Sequence, residues 1–237
     1  MRRYAILLGN TNGLPGVQKD LIGLKAFLHS ERGGCWNENE IFLKENISLE
    51  NLRTLLNNLK RNNYDYLIFY FSGHGGYNKR NTIIKLNKNN ETVSESELKN
   101  VAKRQLTIFD CCRCLIKPTE NFSSEALLLE KSFCKNIIRG LFDNRILQAS
   151  PQQTTLYSCD VGQYSNDTNR GGIYTVSLLK AIDDSNSTFT TVLDAHLKAE
   201  KATSKQTNND QKPCYEMAKL PPEKQLIIAL NPNHRWS

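Results

Sequence analysis

Residues 66–76 read YLIFYFSGHGG, and residues 106–114 read LTIFDCCRC. Each begins with a nearly unbroken apolar, aromatic or β-branched run and ends in small, polar and nucleophilic residues. A run that is apolar at successive positions predicts a strand buried on both faces, and the glycine or polar residues after it predict where it stops. Outward from these two, residues 4–8, 40–43 and 154–159 repeat the pattern, so five strands are expected. Helical periodicity fills the intervals. Residues 17–29 carry Leu21, Leu24, Phe27 and Leu28 on one face, and residues 48–60 carry Leu49, Leu52, Leu55, Leu56 and Leu59, with Ser48 as N-cap. Strand and helix alternating in this way predict an α/β fold with a mostly parallel central sheet.

Between the two decisive stretches, residues 82–86 and 91–93 read as a hairpin, followed by a short helix capped by Ser94 or Ser96. Residues 115–150 show clean periodicity only over 125–138, which predicts a mobile loop carrying one helix. Residues 172–182 and 190–203 read as helices, Pro221 and Pro222 break the chain, and residues 225–230 read as a last strand. Neither repeats nor an interdomain linker interrupt the 237 residues, so a single domain over 1–237 is expected.

Composition narrows the class. The 39% hydrophobic and 23% charged residues are those of a globular chain, neither disordered nor fibrous. The apolar runs fall short of the roughly 18–20 residues that cross a bilayer, and Gly9 and Asn10 cut the first one below a signal-peptide core. Cys111, Cys112 and Cys114 crowd too closely to staple a secreted scaffold, which points to a reducing compartment and a cytoplasmic location. The +7 charge is spread along the chain without a basic block or an aromatic-interleaved stripe. A solvated basic surface is therefore the expectation, and nucleic acid is not an expected partner.

In open parallel sheets the chemistry gathers beyond the carboxyl ends of the strands. The third strand ends at His74 and the fourth at Cys112, so an imidazole and a thiol emerge at one rim. A neutral imidazole beside a thiol can take its proton, and the thiolate then attacks a carbonyl carbon. Gly75 lets the backbone approach, and its N–H with that of Cys112 can hold an oxyanion. Adjacent Cys111 and Cys112 point opposite ways in a strand, one toward the core and one toward the rim. Zinc would need four ligands, usually as two pairs such as C-x-x-C, and beyond Cys111 and Cys114 the sequence holds no second such pair. Phosphate-loop, dinucleotide and serine-hydrolase motifs are missing as well.

FYFSGHGG at 69–76 together with IFDCCRC at 108–114 resembles the caspase-like cysteine peptidases of clan CD, which include caspases, metacaspases and bacterial caspase homologues. The His-to-Cys separation is 38 residues, and the Asp-x-Cys form is the one similar to metacaspases. Further stretches extend the likeness: YAILLGN at 4–10, GVQKDLIGL at 16–24, GGIYTVSLLKAI at 171–182, and Thr203 with QKPCYE at 211–216. The resemblance implies a caspase-like three-layer αβα sandwich and a cysteine endopeptidase with Cys112 as nucleophile and His74 as base. It also implies a protein or peptide substrate, and a role as a regulated death or defence effector.

The same resemblance implies a specificity. YSCDVGQYSND at 157–167 is similar to a caspase segment and puts Asp167 where caspases carry an arginine that grips substrate aspartate. Asp20, Ser72 and Asp110 match the residues with which metacaspases line a pocket for Arg or Lys. Paired carboxylates hold a guanidinium well, so cleavage after Arg, with Lys second, is expected. Calcium-dependent metacaspases carry an Asp-rich segment after S-G-H-G, whereas residues 77–96 hold only Glu91 and Glu95 as acids. Weak or no calcium dependence and no required cofactor are therefore expected. Cys114 brings a further thiol beside the nucleophile, which opens disulfide or sulfenic chemistry there. Basic bonds after Lys131, Lys135, Arg139 and Arg145 are candidates for self-processing, and a partner protein that orders the active-site loops is the alternative route to activation. The rival classes are a catalytically silent caspase-like scaffold and a basic nucleic-acid-binding protein.

Overall fold

The computed structural model describes residues 1–115 and 136–231. Its first half runs β1 (Arg3–Gly9), α1 (Val17–His29), β2 (Ile41–Glu45), α2 (Leu49–Arg61), β3 (Tyr66–Gly73), β4 (Gly75–Tyr77), β5 (Thr82–Lys85), β6 (Thr92–Ser94), α3 (Glu95–Leu98) and β7 (Arg104–Cys111). The second half runs α4 (Asn136–Gln148), β8 (Gln152–Tyr157), β9 (Asp167–Thr168), β10 (Gly171–Gly172), α5 (Ile173–Asp183), β11 (Phe189–Thr191), α6 (Val192–Gln206), β12 (Cys214–Glu216) and β13 (Ile227–Leu230).

Six strands form the central sheet in the order β12-β8-β7-β3-β1-β2, parallel except for β12, which pairs antiparallel with β8. Strand β3 is buried at every position because it lies between β1 and β7 with a layer on each face. Its alternate side chains serve different layers. Tyr66, Ile68 and Tyr70 join the core beneath α1, α4, α5 and α6, while Leu67, Phe69 and Phe71 join the core beneath α2 and α3. This is the three-layer arrangement that the alternating pattern predicts.

Local chemistry explains several boundaries. Ser48 accepts a bond from Asn51 N–H at 3.3 Å and so starts α2, Ser94 caps α3, and Thr191 accepts from Asp194 N–H to start α6. The hairpin of β5 and β6 forms as expected, and β4 adds a third strand on its other side.

The structure departs from the sequence reading in several places, among them residues 190–191, read as the start of a helix, which belong to strand β11. Residues 139–148, expected as loop, belong to helix α4; of the expected helix at 125–138, only 136–138 are described. The apolar stripe of α4 is broken because charged side chains occupy its buried face: Asp143 and Arg145 are buried beside Phe142 and Ile146, while Ile137 faces solvent. Residues 214–216, read only as part of a motif, form the antiparallel edge strand. The last strand, β13, pairs with β11 outside the central sheet.

Helix α4 is held by a buried charge network. Arg3, whose side chain is fully buried, donates to Asp143 Oδ1 at 2.7 Å and to the carbonyls of Gly34 and Cys35, and lies over the Trp36 ring. Arg139 bridges from α4 to Glu40 and the Cys35 carbonyl. Among the described residues no helix is long and apolar enough to cross a membrane.

Candidate active site

Parallel register carries the two reactive residues to one place. Strands β3 and β7 pair Ser72 with Asp110 and Gly73 with Cys111. One step further along the ladder stand His74 and Cys112, at the carboxyl ends of neighbouring strands whose backbones are about 4.8 Å apart. A Cβ on Gly75 would lie 2.6 Å from Cys111 Sγ and 3.0 Å from the Cys112 carbonyl oxygen, so glycine there lets the two strand ends close on each other. Cys111 is fully buried, as the alternation of side chains predicts, and Cys112 is half-buried at the rim.

The protonation of His74 follows from its partner. Its Nε2 lies 2.5 Å from the carbonyl oxygen of Asn12, which can only accept. Nε2 therefore carries the hydrogen, and in the neutral ring Nδ1 keeps its lone pair. Sequence reasoning missed Asn12, because the contact uses its main chain and any residue type offers the same carbonyl.

The thiols differ in character. Burial pushes the Cys111 and Cys159 thiols up and leaves them inert. Burial also raises Cys112, with Cys114 and Asp110 adding to the effect, and its Sγ points to the Ser165 carbonyl at 3.7 Å. Cys112 thus rests as a thiol, and any attack through its sulfur would need a base to take the proton. Lys85 N–H donates to the His74 carbonyl at 2.9 Å while Gly75 pairs with Ile84. In an antiparallel ladder that pattern turns Gly75 N–H away from β5, toward the Cys112 side.

Beside the thiol lies a group of carboxylates. Asp20 is 2% exposed; it accepts from Ser72 Oγ at 2.7 Å and from Gly172 N–H at 2.9 Å. Asp110 is 4% exposed; it accepts from Ser165 Oγ at 2.6 Å, from Thr175 Oγ1 at 2.6 Å and from Thr175 N–H at 3.1 Å. Asp167 accepts from Gly16 N–H at 3.0 Å through one oxygen, and its other oxygen is buried without a hydrogen-bond partner. All three meet at β10: a Cβ would fall 2.3 Å from Asp20 Oδ1 if placed on Gly171 and 2.4 Å from Asp110 Oδ2 if placed on Gly172, and Gly172 pairs with Asp167. Among the described residues none of the three has an ion-pair partner. Burial, reinforced by Asp110, pushes Asp20 up to about 8, and burial raises Asp167 as well. Asp20 and Thr175 also border a groove of about 490 Å³ between α1 and α5.

These observations stand beside a match over almost the whole chain. A family model described as the caspase domain, of peptidase family C14, matches residues 2–224. The chain belongs to the caspase-domain family. A protein from Geobacter sulfurreducens, known from a crystal structure, superposes with a TM-score of 0.61 at 15% identity, covering 96% of this chain and 97% of its own. At that identity the likeness shows the caspase-domain chain's fold alone. No curated protein matches it in sequence.

In this caspase-domain chain, Gln211, which the sequence marks only as the start of the QKPCYE stretch, takes a place at the candidate site. Its buried amide accepts from Asn166 N–H at 2.9 Å and donates to Ser158 O and Ser165 Oγ, so it holds the loop that touches both Cys112 and Asp110. Arg113 turns inward onto the Tyr157 ring and donates to Thr82 Oγ1 and Cys214 Sγ. The proposed processing residues lie elsewhere. Arg139 and Arg145 sit within helix α4, with guanidiniums bound to Glu40 and to the Pro222 carbonyl, so neither bond is presented as extended chain. Lys131 and Lys135 lie outside the described residues.

Proposed function

We propose that this caspase-domain protein is a cysteine endopeptidase that cleaves after Arg, with Lys second. The observation that carries the reading is the pair of buried carboxylates Asp20 and Asp110, with half-buried Asp167 next to them near Cys112, none of which has an ion-pair partner among the described residues. Burying carboxylates without a partner is costly, and a substrate guanidinium relieves that cost by binding bidentately. A substrate aspartate would bring another anion to the same place and be rejected.

Cys112 Sγ attacks the scissile carbonyl carbon while His74 Nδ1 takes the thiol proton. The carbonyl oxygen becomes an oxyanion facing the N–H groups of Gly75 and Cys112. His74 returns the proton to the departing amine, leaving a thioester, and water activated by the same imidazole then releases the acid. Asp20, Asp110, Asp167 and the Ser72 hydroxyl hold the side chain before the cut. The steps need no cofactor; Glu91 and Glu95, the acids after the S-G-H-G stretch, are engaged by Asn87 and by Tyr157 with Lys99. Control by self-processing, first after Lys131 or Lys135, or by an activating partner protein in the cytoplasm, completes the reading.

The test is hydrolysis of fluorogenic peptides ending in Arg, Lys or Asp by the native chain and by Cys112→Ala. Arg turnover lost in the variant supports the reading. Turnover of the Asp peptide and none of the Arg peptide would sink it.

A further inference from the structure

The hydrogen bonds around His74 close into a circuit, and its pivot is Asn10. The His74 ring donates through Nε2 to the Asn12 carbonyl at 2.5 Å, and Asn12 N–H donates to Asn10 Oδ1 at 3.1 Å. Asn10 Nδ2 donates to the Lys85 carbonyl at 3.0 Å, and Lys85 N–H donates to the His74 carbonyl at 2.9 Å. The path thus leaves His74 by its ring and returns to its main chain. Asn10 N–H also donates to the Ser72 carbonyl at 3.0 Å, which ties the end of β1 to the end of β3. Asn10 itself is 1% exposed. Gly73 adopts φ +147°, and a Cβ there would lie 2.9 Å from Asn10 Cβ, so the chain before His74 is pressed directly against this side chain.

We infer that Asn10 is a positioning residue for the catalytic base, fixing the Asn12 carbonyl against His74 Nε2 and so keeping Nδ1 free for the Cys112 proton. This rests on the peptidase reading only in requiring that His74 serve Cys112. The chemistry explains the residue type. The circuit needs one acceptor for Asn12 N–H and one donor for the Lys85 carbonyl on the same short side chain, and an amide supplies both. Aspartate has the shape but no donor, and would set a carboxylate against the Lys85 carbonyl. Serine can still accept from Asn12 N–H as a short turn oxygen but cannot span to Lys85. A carbonyl released from this frame would no longer select the Nε2–H form of the ring, and part of the population would carry its hydrogen on Nδ1, where it blocks the base.

The experiment reads Cys112 and His74 directly and needs no knowledge of the substrate. Alkylation of Cys112 by iodoacetamide is followed by peptide mass spectrometry between pH 5.5 and 9 in the native chain, His74→Ala, Asn10→Asp and Asn10→Ser, with Cys114 as the internal control. Selective ¹⁵N labelling of the four histidines reports which nitrogen of His74 carries the hydrogen. The expected result is a Cys112 rate lowered on the order of tenfold in His74→Ala and Asn10→Asp, and about threefold in Asn10→Ser, as befits loss of a general base. The Cys114 rate should not change, and the ¹⁵N spectrum of the Asn10 variants should show both forms of the ring. If His74→Ala slows Cys112 but both Asn10 variants keep the native rate, pH profile and ring form, the dyad stands and the role of Asn10 falls. Should His74→Ala itself match the native chain, the dyad fails and takes this inference with it. Asn10→Ser carries the test if Asn10→Asp does not fold.

Discussion

His74 gives its Nε2 hydrogen to the main-chain oxygen of Asn12, 2.5 Å away, and this leaves Nδ1 as the basic nitrogen. Burial raises the Cys112 thiol, so the sulfur rests protonated. On the proposed mechanism proton transfer then belongs to the attack itself, and both side chains are required. Replacing Cys112 by Ala should abolish turnover of an Arg peptide, and His74→Ala should lower kcat by about 10³-fold or more with little change in KM. Steady-state kinetics on purified variants checks this; a His74→Ala enzyme within tenfold of the native rate would contradict the assignment.

If Asp20, pushed up to about 8, meets the substrate as proposed, binding is pH-dependent. Below that pH the empty pocket holds a proton on Asp20, and a guanidinium must displace it. The KM for an Arg peptide should fall as pH rises from 6 to 8 and level off above, while alkylation of Cys112 over the same range reports the dyad alone. A KM flat across the interval would show that Asp20 does not meet the substrate.

The same group sets a stability trend whose sign can be worked out. Its pKa is raised on folding from an ordinary carboxylate value to about 8, so the folded chain binds the proton more tightly than the unfolded one. That contribution is complete below about pH 4 and is lost as pH rises through 8. Asp20→Asn removes the loss, so its Tm should equal the native one near pH 4 and exceed it by pH 9, by about 2–4 °C per kcal/mol relieved. Activity on Arg peptides should fall in the same variant. Thermal melts at the two pH values test the claim, and a variant less stable at pH 9 would contradict it.

Gly172 has φ −61°, which alanine adopts freely, yet a Cβ there would lie 2.4 Å from Asp110 Oδ2. Gly172→Ala should displace that carboxylate at a cost of about 1–3 kcal/mol and raise KM for Arg far more than it changes Cys112 alkylation. Urea unfolding beside kinetics separates the two effects; unchanged KM would place Asp110 outside the substrate pocket.

Far from the rim, Arg3 is fully buried against Asp143, with Glu40 at 3.6 Å. Asp143→Ala strands part of that charge and should cost about 3–5 kcal/mol, more than Arg139→Ala, whose own side chain is partly exposed. Urea midpoints decide the order, and the reverse order would mean that α4 is held mainly through Arg139.

Much of the architecture was legible in one dimension. The double burial of β3 and β7 shows as apolar runs, the helices α1 and α2 show as apolar stripes, and Ser48 shows as a cap. Helix α4 did not show, because its buried face sets the charges of Asp143 and Arg145 beside Phe142 and Ile146, and the Arg3–Asp143 pairing that accounts for one of them joins positions 140 residues apart. The edge strand β12 and the strand β4 are three residues each, too short for a period to register.

At the site, residue type and position at the strand ends were enough to single out His74 and Cys112, since a side chain's chemistry is written in its identity and the strand ends mark the rim, whereas Asp20, Ser72 and Asp110 stood out only through the family resemblance. What depended on the folded chain was how those groups are held: the Asn12 carbonyl that selects the tautomer of His74, the close approach of Gly171 and Gly172 to the carboxylates, and the Gln211 amide beneath the loop of Ser165. These are main-chain contacts and distances between residues far apart in sequence. They carry no residue-type signal of their own, and they arise only when packing of both faces of the sheet brings the strand ends and loops to one rim.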